Sequence, residues 1–118
     1  MAAEKEHRRR KKGDIVLLRR FPVLNYRKRK NRPVLILIDR ENDVTAAFIT
    51  TQLQYKEDHD ILLEPSKGSG LTKKSVVLLS KIGTVDKELI LGKLGSLSKS
   101  ERKQLDEKLV EVLGIEKG

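Results

Sequence analysis

A run of basic residues ahead of an apolar segment is the part of this sequence best suited to chemistry. The stretch RKRKNRPVLILID, residues 27–39, begins with four cations, reaches Arg32 and is then continuously apolar from Val34 to Ile38. An arginine keeps its charge and presents a planar fork of N–H donors that matches phosphate oxygens. Arg32 is therefore a candidate for stabilising charge on a phosphate. A solvated arginine at the entrance of a strand is the alternative, and spacing alone leaves both interpretations open.

Residues for acid–base or metal chemistry are few. The chain has two histidines, His7 in the basic N-terminal stretch and His59 in the loop sequence EDHD, and we expect both to be exposed and non-catalytic. Glu57, Asp58, His59 and Asp60 have metal-binding side chains, but consecutive side chains in a loop rarely converge on one ion. The sequence therefore predicts no metal site and no cofactor.

Two further patterns do not support a phosphate-cradling loop or a serine hydrolase. The segment KGSGLTKK, residues 67–74, lacks the G-x-x-x-x-G-K-[ST] spacing and precedes a predicted strand where that motif needs a helix, so it is predicted to be a turn. The serines have no G-x-S-x-G elbow and no histidine placed to activate them. The absence of cysteine removes disulfides, thiolate zinc sites and cysteine nucleophiles.

Positive charge is concentrated in the first quarter of the chain. The formal net charge is +9; residues 1–32 carry 13 Lys and Arg against 3 Asp and Glu, and the remaining 86 residues carry 13 against 14. This favours an anionic partner, and nucleic acid rather than a membrane surface because no basic amphipathic helix accompanies the charge. A solvated tail that only aids solubility is the alternative. No signal peptide or membrane span is recognised, so we expect a cytoplasmic protein.

The elements that must position these residues follow from periodicity and turn signals. Residues 1–12 are predicted to be a basic flexible arm, and residues 13–118 a single domain. Short strands are expected at about 14–19, 34–39, 44–51, 61–64, 75–80 and 89–95, and their close spacing suggests a small antiparallel β-barrel. The second strand should be buried on both faces because its apolar run is unbroken. The core should be mostly Leu, Ile and Val, because aromatic residues make up only 3% of the chain.

The chain should end in one amphipathic helix over about residues 99–113. Ser98 and Glu101 form an S-x-x-E capping box, and Gly114 provides the stop signal. The apolar stripe expected to pack on the barrel consists of Leu105, Leu109, Val112 and Leu113. The expected fold class is thus mainly β with one C-terminal helix.

Five segments in this order resemble the MazF/PemK-like toxins of toxin–antitoxin modules. They are KGDIVLLRRFP, NRPVLILI, AAFITTQ, GLTKKSVVLLSKIGTVDKELI and LGKLGSLSKSERKQLDEKLVEVLGI, and the similarity runs from about Lys12 to Ile115. The resemblance implies an SH3-like, PemK-type barrel, commonly a homodimer, that acts as a metal-independent, sequence-selective endoribonuclease on single-stranded RNA. It also implies a cognate antitoxin protein that occupies the RNA surface.

The resemblance assigns roles to particular residues. By position, Arg32 matches the active-site arginine of the family and Thr50 its active-site threonine. A loop that overhangs the RNA groove would carry the basic run, with Tyr26 as a candidate to stack on a base. The expected RNA-binding residues are Tyr26, Arg27, Lys28, Arg29, Lys30, Asn31, Thr51 and Gln52.

The sequence departs from the family pattern between Arg19 and Pro33. Many relatives have a Gly-rich loop there, often with an acidic residue before the arginine, whereas this chain has basic residues and no carboxylate. The general base is therefore not identified, since arginine stays protonated far above neutral pH and is a poor proton acceptor. The alternative function is a non-catalytic barrel of the same fold that binds RNA or DNA without cutting it.

Overall fold

The fold is described by a computed structural model for residues 9–19 and 31–116. The strands are β1 (Asp14–Leu18), β2 (Arg32–Asp39), β3 (Asp43–Thr50), β4 (Ile61–Leu63), β5 (Ser75–Asp86) and β6 (Ile90–Ser96). Two short 3-10 helices, η1 (Leu53–Tyr55) and η2 (Lys87–Leu89), interrupt them, and the α-helix α1 (Lys99–Leu113) follows β6. The expectation of a mainly β protein with one C-terminal helix is confirmed.

The six strands form one antiparallel sheet in the order β4-β5-β3-β2-β1-β6. Its two edge strands do not pair with each other, so hydrogen bonding between strands does not close the sheet. The loop after β4 instead reaches β6, where the Ser96 N–H donates to the Gly68 carbonyl at 2.9 Å. A side chain on Gly70 would overlap the backbone of Leu94, and one on Gly95 would overlap the backbone of Gly68 and Ser69. The predicted barrel is therefore a curled sheet whose edges meet through a glycine-lined loop contact.

Both faces of the sheet bury apolar side chains. Successive residues of a central strand point to opposite faces, and each face packs into its own hydrophobic cluster. Leu35 belongs to the cluster under α1, whereas its neighbours Val34 and Ile36 belong to the opposite cluster, and all three are fully buried. The expectation of a strand buried on both faces is thus confirmed for this stretch. It is wrong for Ile38, which is 52% exposed and lies beyond a register shift in the pairing of β2 with β3.

Strand β5 is twice as long as the sequence predicted. The sequence predicts a strand that ends at about residue 80, but β5 continues to Asp86 and pairs with the first half of β3. The pairing resumes after a bulge, because Phe48 faces Leu78 whereas the adjacent Ala47 faces Ile82. The bulge bends the sheet.

Helix α1 begins and ends where its capping signals predicted. The Ser98 hydroxyl accepts from the Glu101 N–H, the Glu101 carboxylate accepts from the Ser98 N–H, and Gly114 takes a left-handed conformation with φ 69°. Leu105 is fully buried and Leu109 and Val112 pack on the same cluster. The prediction is wrong for the fourth residue of the stripe, because Leu113, in the last turn of the helix, is 62% exposed. No helix among the described residues is long and apolar enough to cross a membrane.

Candidate active site at the ends of β2 and β3

Arg32 is the first residue of β2, and the backbone there is fixed by pairing with Leu18 at the end of β1. The residue is only partly exposed, and its Nε atom is buried without a hydrogen-bond partner. Leaving a buried donor unpaired costs about 1–3 kcal/mol, and folded proteins rarely tolerate it. The guanidinium therefore has a donor available for an anionic group.

Thr50 is the last residue of β3 and pairs with Val76 of β5. Its side chain is 4% exposed, and its Oγ1 atom accepts from the Gln52 N–H at 3.0 Å. A threonine hydroxyl has one O–H donor besides its acceptor positions. The contact with Gln52 therefore fixes the hydroxyl oxygen and leaves its proton for another acceptor.

The register of β2 and β3 brings these two residues to the same place. The pairing reaches Val34 opposite Phe48, and two residues further along each strand are Arg32 and Thr50. The recorded pairs end there, and the same register continued by two residues would put Arg32 opposite Thr50, on the face that carries Val34 and Phe48. Side chains opposite each other in an antiparallel pair have Cβ atoms about 5 Å apart. One phosphate group is small enough to contact both residues in this arrangement.

The other sequence-predicted binding residues divide into two groups. Thr51 and Gln52 directly follow Thr50, Asn31 directly precedes Arg32, and all three are exposed. The fold therefore collects these three residues with Arg32 and Thr50 at one end of the sheet. The remaining five lie outside the described residues, and their RNA-binding role stays a prediction: Tyr26, Arg27, Lys28, Arg29 and Lys30.

Further cations at this end of the sheet were not selected from the sequence. Arg19 is exposed directly after β1, and Lys73 and Lys74 are exposed directly before β5. Lys74 has its Nζ atom 3.6 Å from a Glu64 carboxylate oxygen. In an antiparallel sheet the end of one strand lies beside the start of its neighbour. These cations could have been found in the sequence as basic residues directly after the first predicted strand and directly before the fifth.

The acidic loop EDHD, residues 57–60, is held in place by hydrogen bonds to the Asp60 side chain. The Asp60 carboxylate is 3% exposed and accepts from the N–H groups of Glu57 and Leu79, both at 2.9 Å. Leu79 lies in the bulge of β5, so Asp60 satisfies an N–H for which the pairing with β3 provides no partner. His59 is exposed, as expected, with Nδ1 3.5 Å from a Glu111 carboxylate oxygen. Within the described ranges, no three His, Cys, Asp or Glu side chains are grouped as metal ligands would be.

Comparison with known families gives a match over most of the chain. The model of the PemK-like, MazF-like toxin of type II toxin–antitoxin systems matches residues 11–113. The chain belongs to this family. It is 32% identical over 90 residues to a probable endoribonuclease MazF of Mycolicibacterium smegmatis, covering 73% of this chain and 83% of that protein. It is 29% identical over 107 residues to the endoribonuclease EndoA of Bacillus subtilis, covering 84% of this chain and 90% of that protein.

Solved structures of this family share the fold. Mycobacterium tuberculosis toxin MazF-mt6 matches with a TM-score of 0.68 at 25% identity, covering 87% of this chain and 98% of that one. A mycobacterial endoribonuclease solved in complex with its cognate antitoxin matches with a TM-score of 0.72 at 20% identity, covering 93% of this chain and all of that one. The mainly β architecture and the C-terminal helix are therefore those of the MazF-like toxins.

Proposed function

We propose that this protein is the toxin of a toxin–antitoxin pair and cuts single-stranded RNA as an endoribonuclease. Membership of the MazF-like family and the two related endoribonucleases support this activity. The observation that carries the proposal is the unpaired buried Nε of Arg32 at the start of β2, at the same end of the sheet as Thr50 at the end of β3. This pair offers a fixed positive charge and a hydroxyl to one phosphate.

The proposed reaction uses the RNA as its own nucleophile and needs no metal ion. The ribose 2′ oxygen bonds to the adjacent phosphorus, the bond from phosphorus to the 5′ oxygen breaks, and the departing 5′ oxygen gains a proton while the 2′ hydroxyl loses one. Negative charge grows on the non-bridging oxygens during the attack. A preorganised guanidinium stabilises this charge more strongly in the transition state than in the ground state. The products are a cyclic phosphate and a free 5′ hydroxyl.

Thr50 is assigned to positioning at this phosphate. Its hydroxyl oxygen accepts a hydrogen bond from the Gln52 N–H, which fixes the position of that oxygen. The hydroxyl can then donate its proton in a hydrogen bond to a phosphate oxygen or to the attacking hydroxyl. No described residue is assigned as general base. Catalysis therefore rests mainly on charge stabilisation and orientation.

The proposal extends to partners and location. A cognate antitoxin protein is the expected partner, since a related endoribonuclease was solved in complex with its own antitoxin. This antitoxin would silence the toxin by covering the basic strand ends. The active form would be a homodimer in the cytoplasm, where RNA is available. Residues 1–12 would act as a basic arm beside the domain of residues 13–118, adding attraction for the RNA backbone.

The test is RNA cleavage in the presence of a metal chelator. Single-stranded RNA is incubated with the wild-type protein and with Thr50→Val, and the new ends are identified. We expect 5′-hydroxyl and cyclic phosphate ends, and no cutting where the scissile nucleotide is replaced by its 2′-deoxy form. Ends carrying 5′ phosphate would contradict the mechanism. RNA or DNA that is bound in a salt-sensitive manner but stays intact would favour the non-catalytic barrel instead.

A further inference from the structure

The nine residues after Thr50 form an exposed segment that is held in place at both ends. We call residues 51–59 the β3–β4 loop, and every one of them is exposed. At its start, Gln52 donates its N–H to Thr50 and accepts at its carbonyl from the Tyr55 N–H at 3.1 Å. At its end, Asp60 accepts from the N–H groups of Glu57 and Leu79. The loop is therefore tied to the candidate active site at one end and to the sheet at the other.

Helix α1 supports the far side of the same loop. The Lys108 Nζ atom donates to the Asp58 carbonyl at 3.5 Å, and the His59 imidazole lies beside Glu111. Ordering a flexible loop on binding would weaken affinity. A loop already held by these contacts avoids that cost, so its exposed side chains are suited to contact a ligand.

Tyr55 is the prominent side chain of the β3–β4 loop. It is 62% exposed, whereas the other aromatic ring in the described ranges, Phe48, is 6% exposed in the core. Tyr55 is five residues from Thr50, a reach of at most about 17 Å of chain. Proteins that bind single-stranded nucleic acid commonly stack bases on exposed aromatic rings. The position and exposure of Tyr55 fit such a ring beside the scissile phosphate.

The charges around Tyr55 favour contact with a base rather than with the phosphate backbone. Lys56 follows the ring directly and its Nζ atom donates to the Glu57 carbonyl at 3.3 Å. The carboxylates of Glu57 and Asp58 outnumber this one cation, and carboxylates repel phosphate groups. The cations at the strand ends attract the backbone, as described above for Arg32. A nucleotide held by its phosphate at the strand ends could therefore direct its base toward Tyr55.

We infer that Tyr55 stacks on the base of a nucleotide adjacent to the scissile phosphate and contributes to the choice of RNA sequence. This inference rests on the proposed function and adds a specificity-determining residue to it. Gln54 lies beside Tyr55, with its Nε2 bonded to the Gln52 Oε1 at 2.9 Å. An amide has a second N–H and a carbonyl oxygen besides this bond, and these can contact the edge of the stacked base.

The experiment compares four proteins in RNA binding: the wild type, Tyr55→Ala, Tyr55→Phe and Ile38→Ala. Ile38 is a matched control because it is 52% exposed and lies six residues along β2 from Arg32, about 20 Å away. The probes are short RNAs that carry the mapped cleavage site with a 2′-deoxy scissile nucleotide, with all bases present or with one base removed on either side. Random-sequence RNAs are used if no cleavage site is found. Thermal melts verify that each variant is folded.

We expect Tyr55→Ala to bind the intact RNA roughly 5- to 150-fold more weakly, while Tyr55→Phe and Ile38→Ala bind like the wild type. Removing the stacked base should weaken wild-type binding to the level of Tyr55→Ala and leave that variant unchanged. Equal binding of intact RNA by the wild type and Tyr55→Ala would overturn this inference even if cleavage occurs. A wild-type protein that binds no RNA would overturn both this inference and the proposed function.

Discussion

Arg32 and Asp60 are both charged residues next to strand ends, but their surroundings differ. Both carboxylate oxygens of Asp60 accept backbone N–H groups, whereas the buried Nε of Arg32 has no partner. Hydrogen bonds to a charged group contribute about 1.5–3 kcal/mol each, and an unpaired buried donor costs about 1–3 kcal/mol. The hydrogen bonds at Asp60 therefore stabilise the loop end, whereas the unpaired Nε of Arg32 costs stability and, under the proposed function, is available to the RNA phosphate.

The largest effect expected from this contrast is on the activity of Arg32→Ala. Removing one preorganised donor from a charged transition state should reduce the cleavage rate about 10²- to 10³-fold. The free energy of unfolding should be unchanged or slightly higher, because no protein hydrogen bond of Nε is lost. Single-turnover cleavage and urea titrations measure the two quantities. Arg19→Ala, which removes an exposed cation at the same end, is the control and should have a much smaller effect on rate.

Asp60→Ala should show the opposite behaviour. It leaves the N–H groups of Leu79 and Glu57 without their acceptor, so we expect a loss of about 3 kcal/mol or more in unfolding free energy. Urea denaturation measures the loss, and Asp58→Ala, at an exposed neighbouring position, is the matched control. An Asp60→Ala protein as stable as the control would show that the buried carboxylate does not support the loop.

The contact between strand β6 and the loop after β4 joins the two edges of the sheet, and it provides a third prediction, which concerns stability. Gly95→Ala should lose about 1–3 kcal/mol, because the added methyl group would overlap the backbone of Gly68 and Ser69. Gly92→Ala, in the same strand, places its methyl group in open space and should have a smaller effect. Thermal melting of the two variants measures the difference. Similar melting temperatures would mean that the loop after β4 moves easily away from β6.

The smallest effect is expected at the surface contact between α1 and the β3–β4 loop. Glu111→Gln removes the carboxylate beside His59 and Lys108, and exposed pairs of this kind contribute about 0–1 kcal/mol. The melting temperature should therefore hardly change at either low or high salt. A large loss of stability would show that α1 anchors the loop much more strongly than its exposed contacts suggest.

Local sequence signals predicted much of this fold. The capping box at Ser98 and the unbroken apolar run of β2 depend on residues close together in the chain, and the structure has the capped helix and buries Val34, Leu35 and Ile36 on both faces. The second half of β5 was missed because GTVDK has the composition of a turn, whereas its strand conformation depends on pairing with β3. The contact of Gly95 with Gly68 and the bond from Leu79 to Asp60 join distant segments, and nothing in the local sequence indicates them.

The candidate site was predictable to a similar degree. The chemistry of arginine and the family resemblance selected Arg32 and Thr50; the structure places them at the start of β2 and the end of β3, and their catalytic roles stay a prediction. The unpaired Nε and the bond from Gln52 to Thr50 depend on packing and could not be predicted from composition. The exposed position of Tyr55 also depends on the fold, because a tyrosine is as common at the edge of a core as on a surface.

The most direct test of the central claim is a double-mutant cycle on cleavage by Arg32→Ala, Thr50→Val and the combined variant. If both side chains act on one phosphate, the second substitution should cost much less in the presence of the first than it does alone. The account predicts this non-additivity with all three variants folded. Losses that simply multiply, or a Thr50→Val rate equal to that of the wild type, would contradict it.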